Sequence, residues 1–130
     1  MDNEISENLF EKILGEIISE NGIRFAGFVN MEGKLLKSHL RDGIIPFEND
    51  KEQQKIFHEL AVRISARKSF DYSMGAVKYS ASRREKLVMM SFPLKKMILL
   101  ITAEPNINID RLAYKIIQIL GKEWSEFFGE

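Results

Sequence analysis

The sequence contains no cysteine, so a disulfide framework, a thiolate zinc or iron–sulfur site and a cysteine nucleophile are all excluded. It also contains only 3 Pro and 8 Gly among 130 residues, which argues against low-complexity and collagen-like chains. With 45% hydrophobic residues, the composition is that of a globular protein rather than a disordered segment. A chain of this length is expected to fold as a single domain over residues 1–130.

Neither sign of charge is in excess, because 19 Lys+Arg offset 19 Asp+Glu. This balance argues against a dedicated nucleic-acid binder, which would carry an excess of positive charge. The apolar runs are too short to cross a bilayer, and the acidic start MDNEISE lacks the features of a signal peptide. We therefore expect a soluble, cytoplasmic protein that binds neither nucleic acid nor membrane.

Local patterns in the first half of the chain predict two helices and two strands. Apolar residues recur every three to five positions over residues 5–18, which is typical of an amphipathic helix. Two strands are predicted over residues 23–31 and 34–41, joined by a tight turn. A second helix is expected to begin at Asp50, because Asp50 and Gln53 have the spacing of a capping box.

The second half predicts three antiparallel strands over residues 75–82, 86–92 and 97–103. The last two strands are apolar on both faces of the pleat, so helices should cover both sides of the sheet. Asn108 is expected to cap a final helix. Residues 121–130 are expected to form a C-terminal extension, in which Trp124, Phe127 and Phe128 continue the helical spacing.

The order of predicted elements is therefore α-β-β-α-β-β-β-α. Short connections between sequential antiparallel strands favour one α+β domain with a five-stranded antiparallel sheet and helices on both faces. The third strand alternates apolar and polar residues, which is typical of a half-exposed edge strand.

Motifs that carry chemistry are absent from the sequence. His39 and His58 are the only histidines, and neither has the spacing of a metal site, so both are interpreted as structural or surface residues. No phosphate-binding loop, dinucleotide-binding fingerprint or nucleophile elbow occurs. We therefore predict no catalytic residue, no cofactor and no metal site, and interpret the chain as non-enzymatic.

Charge is unevenly distributed along the chain. Residues 1–22 hold six acids and one base, whereas residues 63–86 hold seven bases and two acids. If the end of the second helix lies near the third strand, these bases form either a patch that meets phosphate or an acidic partner, or a solvated surface. The expected basic patch consists of Arg63, Arg67, Lys68, Arg83, Arg84 and Lys86.

Two further groups of residues leave alternatives open. One face of the second helix carries the small or weakly apolar residues His58, Val62, Ser65 and Ala66, which favour either close approach of another helix or plain exposure. The connection that follows contains Phe70, Tyr72 and Met74, which predict either packing over the edge of the core or the lining of a small-ligand pocket.

Two segments resemble the Roadblock/LC7 family, within the wider profilin-like and PAS-like group. FAGFVNMEGKLL, residues 25–36, resembles the family's first hairpin, and LLITAEPNINIDRL, residues 99–112, resembles its last strand and closing helix. The turns VNMEGKL, residues 29–35, and SRREK, residues 82–86, are also similar to those of a group of small archaeal proteins. The similarity to these archaeal proteins implies that the protein comes from a prokaryotic cytoplasm.

The Roadblock/LC7 resemblance implies a dimer, in which the second helix of each copy packs against its mate and the third strands pair. It also implies a scaffold that docks or regulates a small GTPase or another signalling protein. The alternative is a PAS-like or profilin-like sensor of a small ligand. In this sequence, the dimer interface that the Roadblock/LC7 resemblance implies consists of His58, Val62, Ser65, Ala66, Val77, Lys78, Tyr79 and Ser80.

Overall fold

The computed structural model describes residues 2–121, with side chains from residue 8 onward. Ile5 precedes the described side chains, and Trp124, Phe127 and Phe128 lie outside the described residues. The elements are α1 (Asp2–Ile18), β1 (Ile23–Asn30), β2 (Leu35–Leu40), α2 (Asp50–Arg67), α3 (Asp71–Met74), β3 (Ser80–Arg83), β4 (Val88–Pro93), β5 (Met97–Ala103) and α4 (Ile109–Ile119).

The five strands form one antiparallel sheet in the order β2-β1-β5-β4-β3. Strand β5 lies at the centre between β1 and β4, and β3 forms an edge, as its alternating pattern predicted. The predicted α+β class, the five-stranded sheet and the order of the main elements are therefore confirmed. One short helical turn, α3, is added between α2 and β3.

Helices cover both faces of the sheet because the central strands are apolar on both sides. Neighbouring residues of a strand point to opposite faces, so Phe28 and Val29 belong to different cores. Phe28 packs in the larger core beneath α1 and α4, together with Phe92. Val29 packs in the smaller core beneath α2, together with Leu60. All four side chains are at most 1% exposed, and burial of each stabilises the fold by about 1.5–3 kcal/mol.

Strand β3 is shorter than the sequence predicted. The prediction over residues 75–82 is wrong at its start, because the chain first forms the turn of α3 and leaves it at Gly75 with a φ of 82°. Strand β3 pairs with β4 only from Ser80, opposite Ser91, to Arg83, opposite Val88. The predicted interface residues Val77, Lys78 and Tyr79 therefore precede the strand instead of belonging to it. Strand β4 correspondingly begins two residues later than predicted.

The cap of α2 also differs from the prediction. The helix begins at Asp50 as expected, but the capping box is formed by Asn49 and Glu52 rather than by Asp50 and Gln53. The backbone N–H of Glu52 donates to Oδ1 of Asn49 at 2.8 Å, and the backbone N–H of Asn49 donates to Oε1 of Glu52 at 3.1 Å. The predicted cap of α4 is confirmed, since Oδ1 of Asn108 accepts from the backbone N–H of Arg111 at 3.0 Å.

The turn between β1 and β2 packs directly against α2. Gly33 adopts a φ of +85°, and a Cβ atom at this position would lie 2.7 Å from the Cα atom of His58. Only glycine permits both this conformation and this close approach. The contact fixes α2 over the β1 side of the sheet and leaves the β3 side less covered.

Candidate interaction groove

Helix α2 covers only part of its face of the sheet. Its buried side chains pack over Val29, Ile98 and Leu100, which belong to strands β1 and β5. A groove of about 880 Å³ lies between α2 and the hairpin of β3 and β4. Its floor includes the buried side chains Leu60 and Leu100, so the groove has an apolar base.

The walls of the groove come from α2 and β3. Ile56, Glu59, Arg63 and Arg67 recur every three to four residues and therefore project from one side of the helix. The opposite wall is strand β3, Ser80–Arg83. The groove thus joins a helix side to an edge of the sheet.

Strand β3 leaves one side of its backbone without a strand partner among the described residues. It pairs with β4 alone and ends the sheet. Such an edge offers backbone donors and acceptors to a strand of another chain. Only four residues form this edge, so pairing there must be supported by side-chain contacts nearby.

Charges around the groove are mixed in sign. Five residues of the predicted basic patch line it, namely Arg63, Arg67, Arg83, Arg84 and Lys86, whereas Lys68 does not. The carboxylates of Glu48, Glu52, Glu59 and Glu85 line it as well. This mixture suits another protein surface better than a phosphate group, which would require an excess of positive charge.

Three of these arginines already have partners within the chain. Nη1 of Arg63 lies 3.0 Å from Oε1 of Glu59 one helical turn away. Nη1 of Arg67 donates to the Ser80 hydroxyl, and the guanidinium of Arg83 donates to the carbonyl oxygens of Pro105 and Ile107. Arg63 and Arg67 are thus held on the α2 side of the groove, whereas the guanidinium of Arg83 is bonded to the connection between β5 and α4.

One end of the groove carries an exposed aromatic ring. Phe47 is 54% exposed, and the guanidinium carbon of Arg24 lies 4.4 Å from the centre of its ring. Nζ of Lys86 lies 5.7 Å from the same point. Arg24 is itself buried and forms an ion pair with Glu104 at 3.2 Å. Phe47 is therefore a supported apolar platform beside two cations.

Large apolar side chains also protrude from the connection between α2 and β3. Phe70 is 56% exposed, Tyr72 fully exposed and Met74 76% exposed. Neither predicted role applies, because these residues do not pack over the edge of the core and do not line the groove. We call residues 68–79, which include them, the protruding loop.

The predicted interface residues of α2 are exposed but do not all face the groove. His58 lies on the side that meets the Gly33 turn, and Ser65 lies on the same side of the helix. Val62 and Ala66 point away from the sheet, between that side and the groove. The structure therefore separates His58 and Ser65 from β3.

Among the predicted residues around β3, Ser80 lines the groove and Tyr79 supports the core. The ring of Tyr79 stacks on Phe92 at a centroid distance of 5.7 Å, and its hydroxyl donates to Oδ1 of Asp110 at 3.0 Å. Burial, followed by this hydrogen bond, raises the pKa of the Tyr79 phenol above its ordinary value of 10.0.

Phe47 and Glu59 line the groove although no local sequence pattern predicts it. Phe47 lies in a turn-like segment, and nothing in the local pattern shows that the segment folds back toward Lys86. Glu59 precedes the buried Leu60 and resembles any solvated helix residue. Ile56 is partly buried at the margin of the apolar face of α2, and it lines the groove because α2 leaves the neighbouring half of the sheet uncovered.

The histidines occupy other parts of the surface. Nε2 of His39 lies 2.5 Å from Oε1 of Glu11, and Nζ of Lys37 lies 2.8 Å from Oε2 of Glu11. Hydrogen bonds from Lys37 and then His39 lower the pKa of Glu11 below its ordinary value of 4.5. These contacts attach α1 to β2, on the face of the sheet away from the groove.

Within residues 2–121, no group of three or more potential ligands is placed to hold a metal ion. No helix in the same range has both the length and the hydropathy to span a membrane.

The fold is that of Roadblock/LC7 domains. The chain superposes on a Roadblock/LC7 domain from Streptomyces avermitilis with a TM-score of 0.65 and 10% identity, over 84% of this chain and 89% of that one. The gliding protein MglB from Thermus thermophilus superposes with a TM-score of 0.65 and 12% identity, over 86% of this chain and 88% of that one. An MglB with a tetrameric arrangement superposes with a TM-score of 0.64 and 15% identity, over 87% of this chain and 88% of that one.

The sequence itself assigns the family. The profile described as "Family of unknown function (DUF6659)" matches residues 2–130, so the chain belongs to that family. No curated protein matches the sequence.

Proposed function

We propose that this protein is a non-enzymatic interaction module that forms a homodimer through α2 and β3 and docks a small GTPase or another signalling protein. The observation that carries the proposal is the apolar groove of about 880 Å³ beside the open edge of β3. Pairing of two β3 edges would extend the sheet across both copies and bring the α2 of one copy beside the α2 of the other.

We propose the following residues for the interface. Its helix side centres on Ile56, Glu59 and Arg63, which face the groove, with Val62 and Ala66 at the outer margin. Its strand side centres on the edge of β3, with Ser80 at the start. His58 and Ser65 lie farther from β3, and Val77, Lys78 and Tyr79 precede it.

The electrostatics of the groove agree with self-association. Five basic and four acidic side chains line the same surface, so two copies related by a two-fold axis can place unlike charges opposite each other. The apolar floor supplies surface whose burial favours association. A homodimer needs no partner of strong opposite charge, which fits a chain with no net charge.

The proposal of a GTPase partner rests on the Roadblock/LC7 fold. MglB, which shares the fold, is a gliding protein in Thermus thermophilus and occurs in a tetrameric arrangement. A dimer with two α2 helices side by side would leave His58 and Ser65, which lie farther from β3, as a symmetric surface for a small GTPase. These residues are exposed in the single chain.

The test of partner binding uses the purified protein and the small GTPases of its own cell, each loaded with GDP or with a non-hydrolysable GTP analogue. We expect saturable binding that prefers one nucleotide state and is weakened by Ser65→Arg, with Leu9→Arg on α1 as the control. Ser65 is exposed on α2, and Leu9 is 50% exposed on the other side of the sheet. Binding in neither nucleotide state would contradict the GTPase part of the proposal.

A small-ligand sensor is the second candidate, and one observation favours it. The volume of the groove lies within the roughly 300–1,000 Å³ typical of ligand sites. A ligand that binds the folded state would raise the unfolding temperature, and the rise would grow with the logarithm of the ligand concentration above its dissociation constant. A small molecule that raises this temperature while the protein stays monomeric would favour the sensor. Dimerisation would instead cover the groove.

A further inference from the structure

We propose that the protruding loop of one copy completes the groove of a second copy, where it packs against Phe47, Arg84 and Lys86. This inference rests on the proposed dimer, and it identifies what occupies the far end of the groove. It also gives a role to the side chains Phe70, Tyr72 and Met74, which are more than half exposed in the single chain.

The protruding loop leaves the domain at one end of the groove. It begins after Arg67 and returns at Ser80, and these two residues are joined by a hydrogen bond of 3.2 Å. The loop therefore starts and finishes beside the first residue of β3. None of the residues in its 3₁₀ turn, Lys68–Phe70, or in α3 is buried.

The aromatic platform lies at the opposite end of the groove. Strand β3 runs from Ser80 to Arg83, and the turn that follows brings Lys86 to within 5.7 Å of the Phe47 ring centre. Arg84 and Phe47 line the groove there. The loop and the platform of one copy thus lie toward different ends of the same short strand.

Antiparallel pairing of two β3 strands brings these features together between copies. In an antiparallel pair, the beginning of one strand lies opposite the end of its mate. The residues before Ser80 in one copy are therefore carried alongside those after Arg83 in the other. A two-fold axis repeats the contact, so each loop meets the platform of the other copy.

The two surfaces have complementary chemistry. The loop presents Tyr72, with the apolar side chains Phe70 and Met74 one helical turn apart. The platform presents the exposed ring of Phe47 beside two cations. Aromatic rings pack favourably on each other and against cations.

Asp71, between Phe70 and Tyr72, gives the loop one carboxylate that can pair with Arg84 or Lys86 of the platform, whereas Lys68 and Lys78 lie near the two ends of the loop. Burial of this contact would cover most of the large apolar surface that the single chain exposes around the groove. A short β3 edge of four residues gains the additional contacts that it needs for a stable pair.

The absence of cysteine makes the contact measurable by cross-linking. Tyr72→Cys and Lys86→Cys are combined in one chain and treated with a short bis-maleimide, and each single variant is treated alone. Both positions are exposed, so the substitutions should leave the fold intact, which circular dichroism checks. The matched control pairs Tyr72→Cys with Glu32→Cys, an exposed residue in the turn between β1 and β2.

We expect the Tyr72→Cys/Lys86→Cys chain to form a covalent dimer at least tenfold faster than either single variant or the Glu32→Cys control. Ala81→Cys, near the middle of β3, tests the proposed strand pairing separately, because each Ala81 should lie near its mate. Cross-linking through Ala81→Cys without cross-linking of the Tyr72→Cys/Lys86→Cys pair would overturn the loop contact and leave the dimer standing. Failure of both, with a monomeric mass, would overturn the dimer itself.

Discussion

Nη1 of Arg67 donates a hydrogen bond to the hydroxyl oxygen of Ser80 across 3.2 Å, which joins the last turn of α2 to the first residue of β3. These are the two elements proposed to form the dimer interface. The hydrogen bond fixes their separation at one end of the groove and holds the two ends of the protruding loop together. A loop whose ends meet in this way loses less entropy when it binds than an open segment would.

Removal of this hydrogen bond should loosen the loop with little effect on the fold. Arg67→Met retains an unbranched side chain but lacks the donor. The net contribution of one hydrogen bond to the free energy of unfolding is about 0.5–1.5 kcal/mol. We expect faster chymotryptic cleavage at Phe70 and Tyr72 and at most about 1 kcal/mol loss in the free energy of unfolding. Arg111→Met, at an exposed position on α4, is the control, and equal cleavage of both variants would show that Arg67 does not restrain the loop.

A charge on the outward face of α2 should weaken the dimer. Val62 is 55% exposed, so Val62→Glu should fold normally, but the carboxylate would be desolvated at the margin of the interface. We expect the dissociation constant of the dimer to rise at least tenfold, measured by analytical ultracentrifugation. Leu9→Glu is the matched control because Leu9 is 50% exposed on α1. An unchanged constant for Val62→Glu would remove this face of α2 from the interface.

The capping box of α2 can be tested against the one that the sequence predicted. Asn49→Ala removes the acceptor for the backbone N–H of Glu52 and should cost about 1 kcal/mol in the free energy of unfolding, measured in urea. Gln53→Ala removes the residue that was predicted to complete the box and should cost less than half as much. A larger loss for Gln53→Ala would contradict the observed cap.

The attachment of α1 to β2 should depend on pH. Lys37 and His39 lower the pKa of Glu11 below 4.5 in the folded state. A carboxyl group with a lowered folded-state pKa stabilises the fold above its unfolded pKa, and this stabilisation is lost as the pH falls through the folded value. The difference in stability between wild type and Glu11→Gln should therefore shrink as the pH falls from 6 to about 3.

Urea titrations across this pH range measure the difference directly. Glu16→Gln is the matched control, because it removes a carboxylate from an exposed position of the same helix. A stability difference for Glu11→Gln that stays constant or grows toward acid would contradict the contacts of Glu11 with Lys37 and His39.

The number of strands, their sequence along the chain and the edge position of β3 followed from local patterns, whereas the start of β3 did not. Residues Val77 and Tyr79 alternate with polar neighbours as in a strand, but a strand also needs a partner at each position. The ladder with β4 ends at the pair of Ser80 and Ser91, and Tyr79 instead stacks its ring on Phe92. The cap of α2 was displaced by one residue because Asn49 and Asp50 are both suitable caps and only tertiary packing decides between them.

The groove was only partly predictable for a related reason. The bases of residues 63–86 indicated that charges gather near the end of α2, and most of them do line the groove. The place of the Glu59 carboxylate in the groove and the aromatic platform of Phe47 depend on contacts between segments that are far apart in sequence. No local periodicity reports such contacts.

The solution mass of the protein tests the central claim most directly. Light scattering coupled to size-exclusion chromatography, over a concentration series, should give twice the 15.1 kDa of one chain at every concentration well above the dissociation constant. Such a result is predicted because the open edge of β3 and the apolar groove would both be covered by a second copy. A mass of one chain at the highest concentrations would contradict the dimer and leave the groove open to a small ligand.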